Sequence, residues 1–592
     1  MGRFFRLLFT SCLGTILGLL AISFLSLFLF SALASKAEQA KPIRPNSVLK
    51  LTFDQPIPEQ TNNLVTDPFD LKNQKILGMD AILRTLEYAR QENKIRGILL
   101  EPGYGLGVMG LSSARRLHDA LEEFRNSGKF ILSYSKFYSQ GTYYLASPAD
   151  RIYVNPAGGM DFHGFAVVLA YFKKMLDKVG LRMEVFYAGK YKSATEPFRR
   201  TDMSPENRQQ LREYVEPLYQ RYLTDLAEDR NLDAQSLRHL SDTLPLLLAE
   251  DMVAHRLADS VAHEDAVLND LRYRLGLEKD EKINFLSLHD VYAHLPGTDF
   301  SIRDKVAVVF AEGTILDGKG DPGTIGDEKY VPLLRRLRKD KRVKALVLRV
   351  NSGGGSAMAS ENIYRELNRL RESGKPVVVS MGDYAASGGY YIACGGERIF
   401  AEPNTLTGSI GVFNMLVNAR ELLNDKMGIT FDTVRTTRFS TGLTPFYDLS
   451  DDERRILQRT TDRIYERFLE VVAESRKMTR DEVHQIAQGR VWTGERALQI
   501  GLVDSLGTLE DAIASAARLA DLEQYRISRY PVPKTPLQQF LEELTGEQAS
   551  AQLRQIALRR ELGKHYEDWQ YLQELARLSG VQARMLLKVE FQ

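Results

Sequence analysis

The sequence predicts an α/β chain built as two tandem βα repeats, with an apolar helix before them and amphipathic helices after them. Three observations lead there: an internal repeat at an offset of about 247 residues, alternation of helical stretches with short β-rich runs inside each half, and a long uncharged N-terminal run. At 592 residues the chain is several times a usual domain, so more than one core is expected.

The first element is the uncharged run. After Arg3 and Arg6, the stretch from Leu7 to Ala34 is dominated by Leu, Phe, Ile and Ala, whereas a bilayer core needs roughly 20 such residues. Ala32-Leu33-Ala34 before Ser35 offers a small-residue cleavage pattern, but the run exceeds the usual 7 to 15 residues of a signal h-region. The expectation is therefore an uncleaved anchor over residues 1–40. The two arginines stay in the cytoplasm, which places the rest on the extracytoplasmic side of the inner (cytoplasmic) membrane.

Two homologous halves follow. KIRGILLEPGYG from Lys94 matches VKALVLRVNSGG from Val343, and RNSGKFILSYS from Arg125 matches RESGKPVVVSM from Arg371. YYLA at Tyr143 parallels YYIA at Tyr390, and LADSV near Asp259 parallels LVDSL near Asp504. Apolar runs bounded by glycine turns read as buried parallel strands, with Gly374 stopping a helix and Pro376 opening a strand. The expected domains are 45–298 and 299–525, with 526–592 as a helical extension to which no chemistry is attached.

Composition excludes several functions. The 78 basic and 77 acidic residues leave a net charge of +1, too small a field to attract nucleic acid. Cys12 and Cys394 form no metal or disulfide pattern, and neither a metal nor a cofactor is expected.

Chemistry gathers in glycine-bearing turns after strands of the second half, where open α/β sheets present their ligands. Asn351-Ser352-Gly353-Gly354-Gly355 can offer backbone N–H groups to an oxyanion, though glycine turns after strands are common. Ser387, in YAASGGYYIA, precedes a helix beginning near Gly388; an isolated serine there is more often a helix cap than a nucleophile. TLTGSIGVF adds hydroxyls that orient a neighbour or satisfy a turn. A serine nucleophile needs a base. None of the nine histidines lies beside these turns in sequence, and His163, His255 and the others stay open as candidates. A lysine serves if burial lowers its pKa from about 10.4, and GKYKSATEPF supplies one among small and apolar neighbours.

Taken in order, NSGGG, ASGGYYIA, TGSIGV, YKSA and VWTGERALQIGLVDSLG resemble the signal peptide peptidase A (protease IV) family in its long two-repeat form, over residues 45–525. The resemblance implies a fold like Clp protease and the crotonases, and a membrane-anchored serine endopeptidase with Ser387 as nucleophile and Lys192 as general base. It also implies oxyanion donors at Gly354 and Gly388, a supporting hydroxyl from Ser409, and a homotetramer that degrades cleaved signal peptides. Gly353 stands where the family usually has proline, leaving the turn less preset.

The repeat gives an independent check. Gln140 falls opposite Ser387, Ser440 opposite Lys192 and Phe162 opposite Ser409, so each half has kept what the other lost. One composite site across the halves explains this pattern. The alternatives are a crotonase-like acyl-thioester enzyme, which export disfavours, and a non-catalytic membrane scaffold.

Overall fold

The computed structural model describes residues 41–53, 55–63, 76–103, 109–532 and 581–585, with a few isolated residues besides. The anchor expected over Leu7 to Ala34 lies almost wholly outside them. Among the described residues no helix is long and apolar enough to cross a membrane.

The first repeat contributes β1 (Ser47–Leu51), β2 (Ile95–Leu100), β3 (Phe130–Tyr138), β4 (Arg151–Asp161), β5 (Arg182–Ala188), β6 (Leu246–Leu248), β7 (Ser260–Val261) and β8 (Phe285–Leu286). All but β5 form one sheet, ordered β6-β4-β3-β2-β1-β8 with β7 beside β4. The second contributes β9 (Lys305–Glu312), β10 (Thr314–Leu316), β11 (Thr324–Gly326), β12 (Val343–Ser352), β13 (Gly354–Ser356), β14 (Val377–Ala386), β15 (Arg398–Ala401), β16 (Leu406–Gly408), β17 (Val412–Asn418), β18 (Val491–Thr493), β19 (Ser505–Leu506) and β20 (Arg526–Tyr530). Its main sheet runs β18-β16-β14-β12-β9-β20, with β15 and β19 on a branch. Central pairs in both sheets are parallel. Their strands are buried on both faces, which is why they read as continuous apolar runs.

The repeat is visible down to single contacts. Asp259 accepts the Ile152 amide as Asp504 accepts that of Ile399, at 2.7 and 2.8 Å. The Tyr143 hydroxyl donates to the Leu257 carbonyl as Tyr390 does to Leu502. Two 26-residue helices, Pro205–Arg230 and Asp451–Arg476, start on serine caps, Ser204 and Ser450, that accept amides of the first turn.

A third sheet joins the repeats. Its order is β11-β10-β13-β21-β17-β5, in which β5 of the first half pairs antiparallel with β17 of the second, Ala188 opposite Val412. Its member β21 (Gln582–Arg584) comes from the C-terminal region. This corrects the expectation of a wholly helical extension. Arg526–Tyr530 also extends the second sheet beside β9, because Ile527 packs on the layer formed by Val306, Val308 and Phe310. The remainder of that extension lies mostly outside the described residues.

The halves also meet through buried charge. The Arg349 guanidinium, fully buried, donates to both oxygens of Glu59 at 3.0 and 2.9 Å, to Ser380 Oγ and to the Met381 carbonyl, and lies 3.3 Å from Glu402. Asp383, on the strand that leads to Ser387, accepts the Ser113 amide and hydroxyl from the first half at 2.9 and 2.6 Å.

Candidate active site

Ser387 follows β14 and stands at the N-terminal boundary of the helix Gly388–Ala393, with φ 56° and ψ −116° and no side-chain capping bond. A non-glycine residue in that region costs about 1 to 3 kcal/mol, which surrounding structure must hold in place. The Ser387 amide donates to the Gly408 carbonyl at 2.7 Å, tying the turn to β16. Glycines that follow cannot be enlarged freely: a Cβ on Gly389 would lie 2.4 Å from the Ser352 carbonyl oxygen. The TGSIGV turn is drawn the same way, with Ser409 at φ 50° and its amide donated to Arg490.

Lys192 arrives from the other half, on the loop after β5. Pairing of β5 with β17 brings Ala188 to the edge of the second half, and the loop then packs backbone to backbone on Gln488 and Gly489. The Tyr191 amide donates to the Gln488 carbonyl at 2.9 Å. Gly189 has φ +105°, and any Cβ there would meet the Gln488 backbone at 2.4 Å.

The Lys192 side chain is 2% exposed. Its Nζ lies 2.8 Å from Ser387 Oγ and 3.1 Å from both the hydroxyl and the carbonyl oxygen of Ser409. Burial pushes the amine well below the ordinary lysine range. In the neutral form, two N–H groups serve the Ser409 oxygens and the lone pair is left to accept the Ser387 hydroxyl proton. The Gly411 carbonyl stands 3.4 Å from Ser387 Oγ as a second acceptor.

Among the described residues, four histidines engage elsewhere. His118 pairs with Asp229 at 2.7 Å, His163 with the Gly164 carbonyl, His294 with the Asp290 carbonyl and His484 with the Tyr465 hydroxyl.

At the oxyanion candidates, Gly354 has φ +95° and donates its amide to Ser352 Oγ at 3.1 Å. A Cβ on Gly354 would stand 2.6 Å from the Gly388 nitrogen, so the two amides border the same small space. Positions opposite the site in the repeat are closed or remote. Gln140 donates to the Gly164 carbonyl and accepts its amide, at 3.1 and 2.9 Å, which fills the first-half turn. Phe162 is buried and Ser440 sits exposed on a loop, bonded to the Thr437 carbonyl.

Sequence reasoning missed the seat of the lysine. Gln488, Gly489 and Gly411 shape it, and a glycine placed just ahead of the VWTGER strand was the available signal.

Residues 123–278 and 369–523 match the model of Peptidase family S49, once in each repeat. The chain belongs to that family. Protease 4 of Salmonella typhi is 39% identical over 472 residues, covering 78% of this chain and 76% of its own. Protease 4 of Haemophilus influenzae is 36% identical, covering 76% and 74%. The chloroplastic serine protease SPPA of Arabidopsis thaliana is 31% identical, covering 70% and 62%. This S49 chain is accordingly a serine peptidase of the long two-repeat form, with its family match spread over both halves.

Proposed function

We propose that this peptidase hydrolyses peptide bonds in hydrophobic peptides, such as signal peptides left in the membrane after cleavage, by a Ser387-Lys192 dyad. The observation that carries the reading is the 2.8 Å contact between a buried lysine amine and the hydroxyl of a serine held at positive φ.

Neutral Lys192 takes the proton from Ser387 Oγ as that oxygen attacks the substrate carbonyl carbon. Negative charge on the carbonyl oxygen is met by the backbone N–H groups of Gly388 and Gly354. The Gly354 amide must leave Ser352 Oγ to do so, and a glycine at positive φ can make that small rotation. Protonated Lys192 then delivers its proton to the leaving amine. A water molecule, deprotonated by the same amine, attacks the acyl carbon, and Lys192 returns that proton to Ser387 Oγ as the acid product leaves. Ser409 keeps the amine pointed at Ser387 through its two oxygen contacts.

The same reading places the catalytic halves outside the cytoplasm with Leu7 to Ala34 as the anchor, working as a homotetramer. Carbonate extraction tests the first point, and mass measurement of the detergent-solubilised protein tests the second.

The direct test of the dyad is peptide hydrolysis by the purified protein beside its Ser387→Ala form. Turnover is expected to vanish with folding retained. Turnover near the parent rate would overturn the assignment.

A further inference from the structure

Ser409 holds the tip of the Lys192 side chain, but the backbone that carries it must be held as well. Gln210, on the helix Pro205–Arg230 of the first repeat, is 4% exposed and reaches that backbone. Its Nε2 group donates to the Tyr191 carbonyl and to Ser193 Oγ, each at 3.1 Å, so the contacts fall on the residues just before and just after Lys192. Its Oε1 accepts the Val491 amide of the second repeat at 3.3 Å. Val491 stands opposite Gly408 in the β16–β18 pair, and the Ser409 amide donates to the neighbouring Arg490 carbonyl at 2.7 Å. A closed ring results: the lysine loop to Gln210, Gln210 to Val491, Val491 to the Ser409 turn, and Ser409 back to the Lys192 amine at 3.1 Å.

Chemistry explains the residue type. A backbone carbonyl can only accept and a backbone amide can only donate, so a group that bridges them must do both, as a carboxamide does. Its orientation is set in turn. Gln210 also donates to Asn207 Oδ1 at 3.0 Å, and Asn207 Nδ2 donates at 3.1 Å to Glu196 Oε2, a buried carboxyl that also accepts the Ser204 amide. On the same helix face, three residues along, Glu213 pairs with Arg490, whose guanidinium lies over the rings of Tyr191 and Trp492 at 5.1 and 4.2 Å. The second repeat does not carry the arrangement over. Counted from the equivalent caps Ser204 and Ser450, Gln210 falls opposite Ile456, which is 48% exposed, in the half that has Ser440 where the first has its lysine.

We propose that Gln210 is a positioning residue for the Lys192 base, one that locks the lysine loop onto the second repeat and keeps water from the amine. The inference rests on the Ser387-Lys192 reading. Desolvation is what lowers the Lys192 pKa. The charged groups on the elements packed around it are engaged with other partners: Glu196 with Asn207, Glu213 with Arg490, and Lys190 over the Tyr191 ring. Slackening the loop therefore admits water, restores solvation of the ammonium form and raises the amine toward the ordinary lysine value of about 10.4.

The test compares the full chain with its Gln210→Met form, which keeps the side-chain length and removes its hydrogen bonds. The pH profile of kcat/KM is read on a short hydrophobic peptide. Its rising limb is expected to move up by about one to two pH units, so that activity falls about 10- to 100-fold at neutral pH and recovers near pH 10, with KM changed by less than about twofold. Gln210→Glu keeps the acceptor for Val491 but turns a carboxylate toward the Tyr191 carbonyl, and its negative charge should move the limb at least as far. Should Gln210→Met fail to fold, Ser193→Ala, which removes one loop contact, should move the limb the same way by a smaller step. An unmoved limb in the folded variants, even with a lower melting temperature, would reduce Gln210 to a packing residue and overturn the proposal. Lost activity that raised pH does not restore would overturn it too. A parent without a limb below the ordinary lysine range, or turnover retained in Ser387→Ala, would instead refute the dyad reading and this inference with it.

Discussion

Gly489 and Lys192 touch backbone to backbone: a Cβ at position 489 would stand 2.6 Å from the Lys192 nitrogen and 2.7 Å from its Cα. Gly489 also has φ +80°, where an L side chain costs about 1 to 2 kcal/mol. Gly489→Ala must therefore push the lysine loop away. A displacement of about 1 Å at a reacting group costs roughly 10²-fold in rate, so kcat/KM for peptide hydrolysis should fall by about that much while the fold, read by circular dichroism, persists. A fully active Gly489→Ala enzyme would show that the lysine loop does not set the reaction geometry.

Lys192→Arg retains a cation but removes the neutral base, since arginine is never deprotonated in a protein. Activity should drop by at least about 10³-fold, near the upper range of general-base contributions. The parent should show a kcat/KM that rises with pH along a single-proton limb and levels off well below the ordinary lysine range, because burial lowers the amine pKa in the folded state. The sign follows from the base being active only when deprotonated. An active Lys192→Arg enzyme, or a profile that climbs without a plateau to about pH 10, would point to another base.

Lys192 and Ser387 meet within one chain. Mixing full-length Ser387→Ala with full-length Lys192→Ala is expected to restore no turnover, since each site then lacks one member. Recovery of activity in the mixture would move the dyad to a boundary between subunits.

Arg349 is the buried bridge between the halves, and Glu59 and Glu402 lie on it with little exposure of their own. Arg349→Leu leaves Glu59 without its cation and Glu402 with only Arg116 at 3.7 Å, and breaking a buried pair typically costs about 3 to 5 kcal/mol. A substantial fall in the melting temperature is expected, together with lost hydrolysis, because Arg349 also holds the Met381 carbonyl on the strand that leads to Ser387. An unchanged melting temperature would show that the halves are held together by other contacts.

The sequence by itself determined the repeat and the α/β class, and it already held the two residues proposed here as the dyad. Parallel strands buried on two faces must be apolar throughout, so their positions survive as runs such as KALVLRV, and a duplicated turn that loses one chemical group records the loss, as Gln140 does opposite Ser387. Local order was legible because its causes, glycine stops, serine caps and apolar periodicity, act within a few residues.

Tertiary structure alone decided how the two halves share one site. The 2.8 Å approach of Lys192 to Ser387 depends on β5 crossing to β17 and on a glycine at 489, contacts between residues hundreds of positions apart that leave no periodic trace. The same holds for the Arg349 cluster and for β21. Three residues of a polar tail form a strand only because two open edges receive them, and main-chain hydrogen bonding of that kind is indifferent to side-chain pattern.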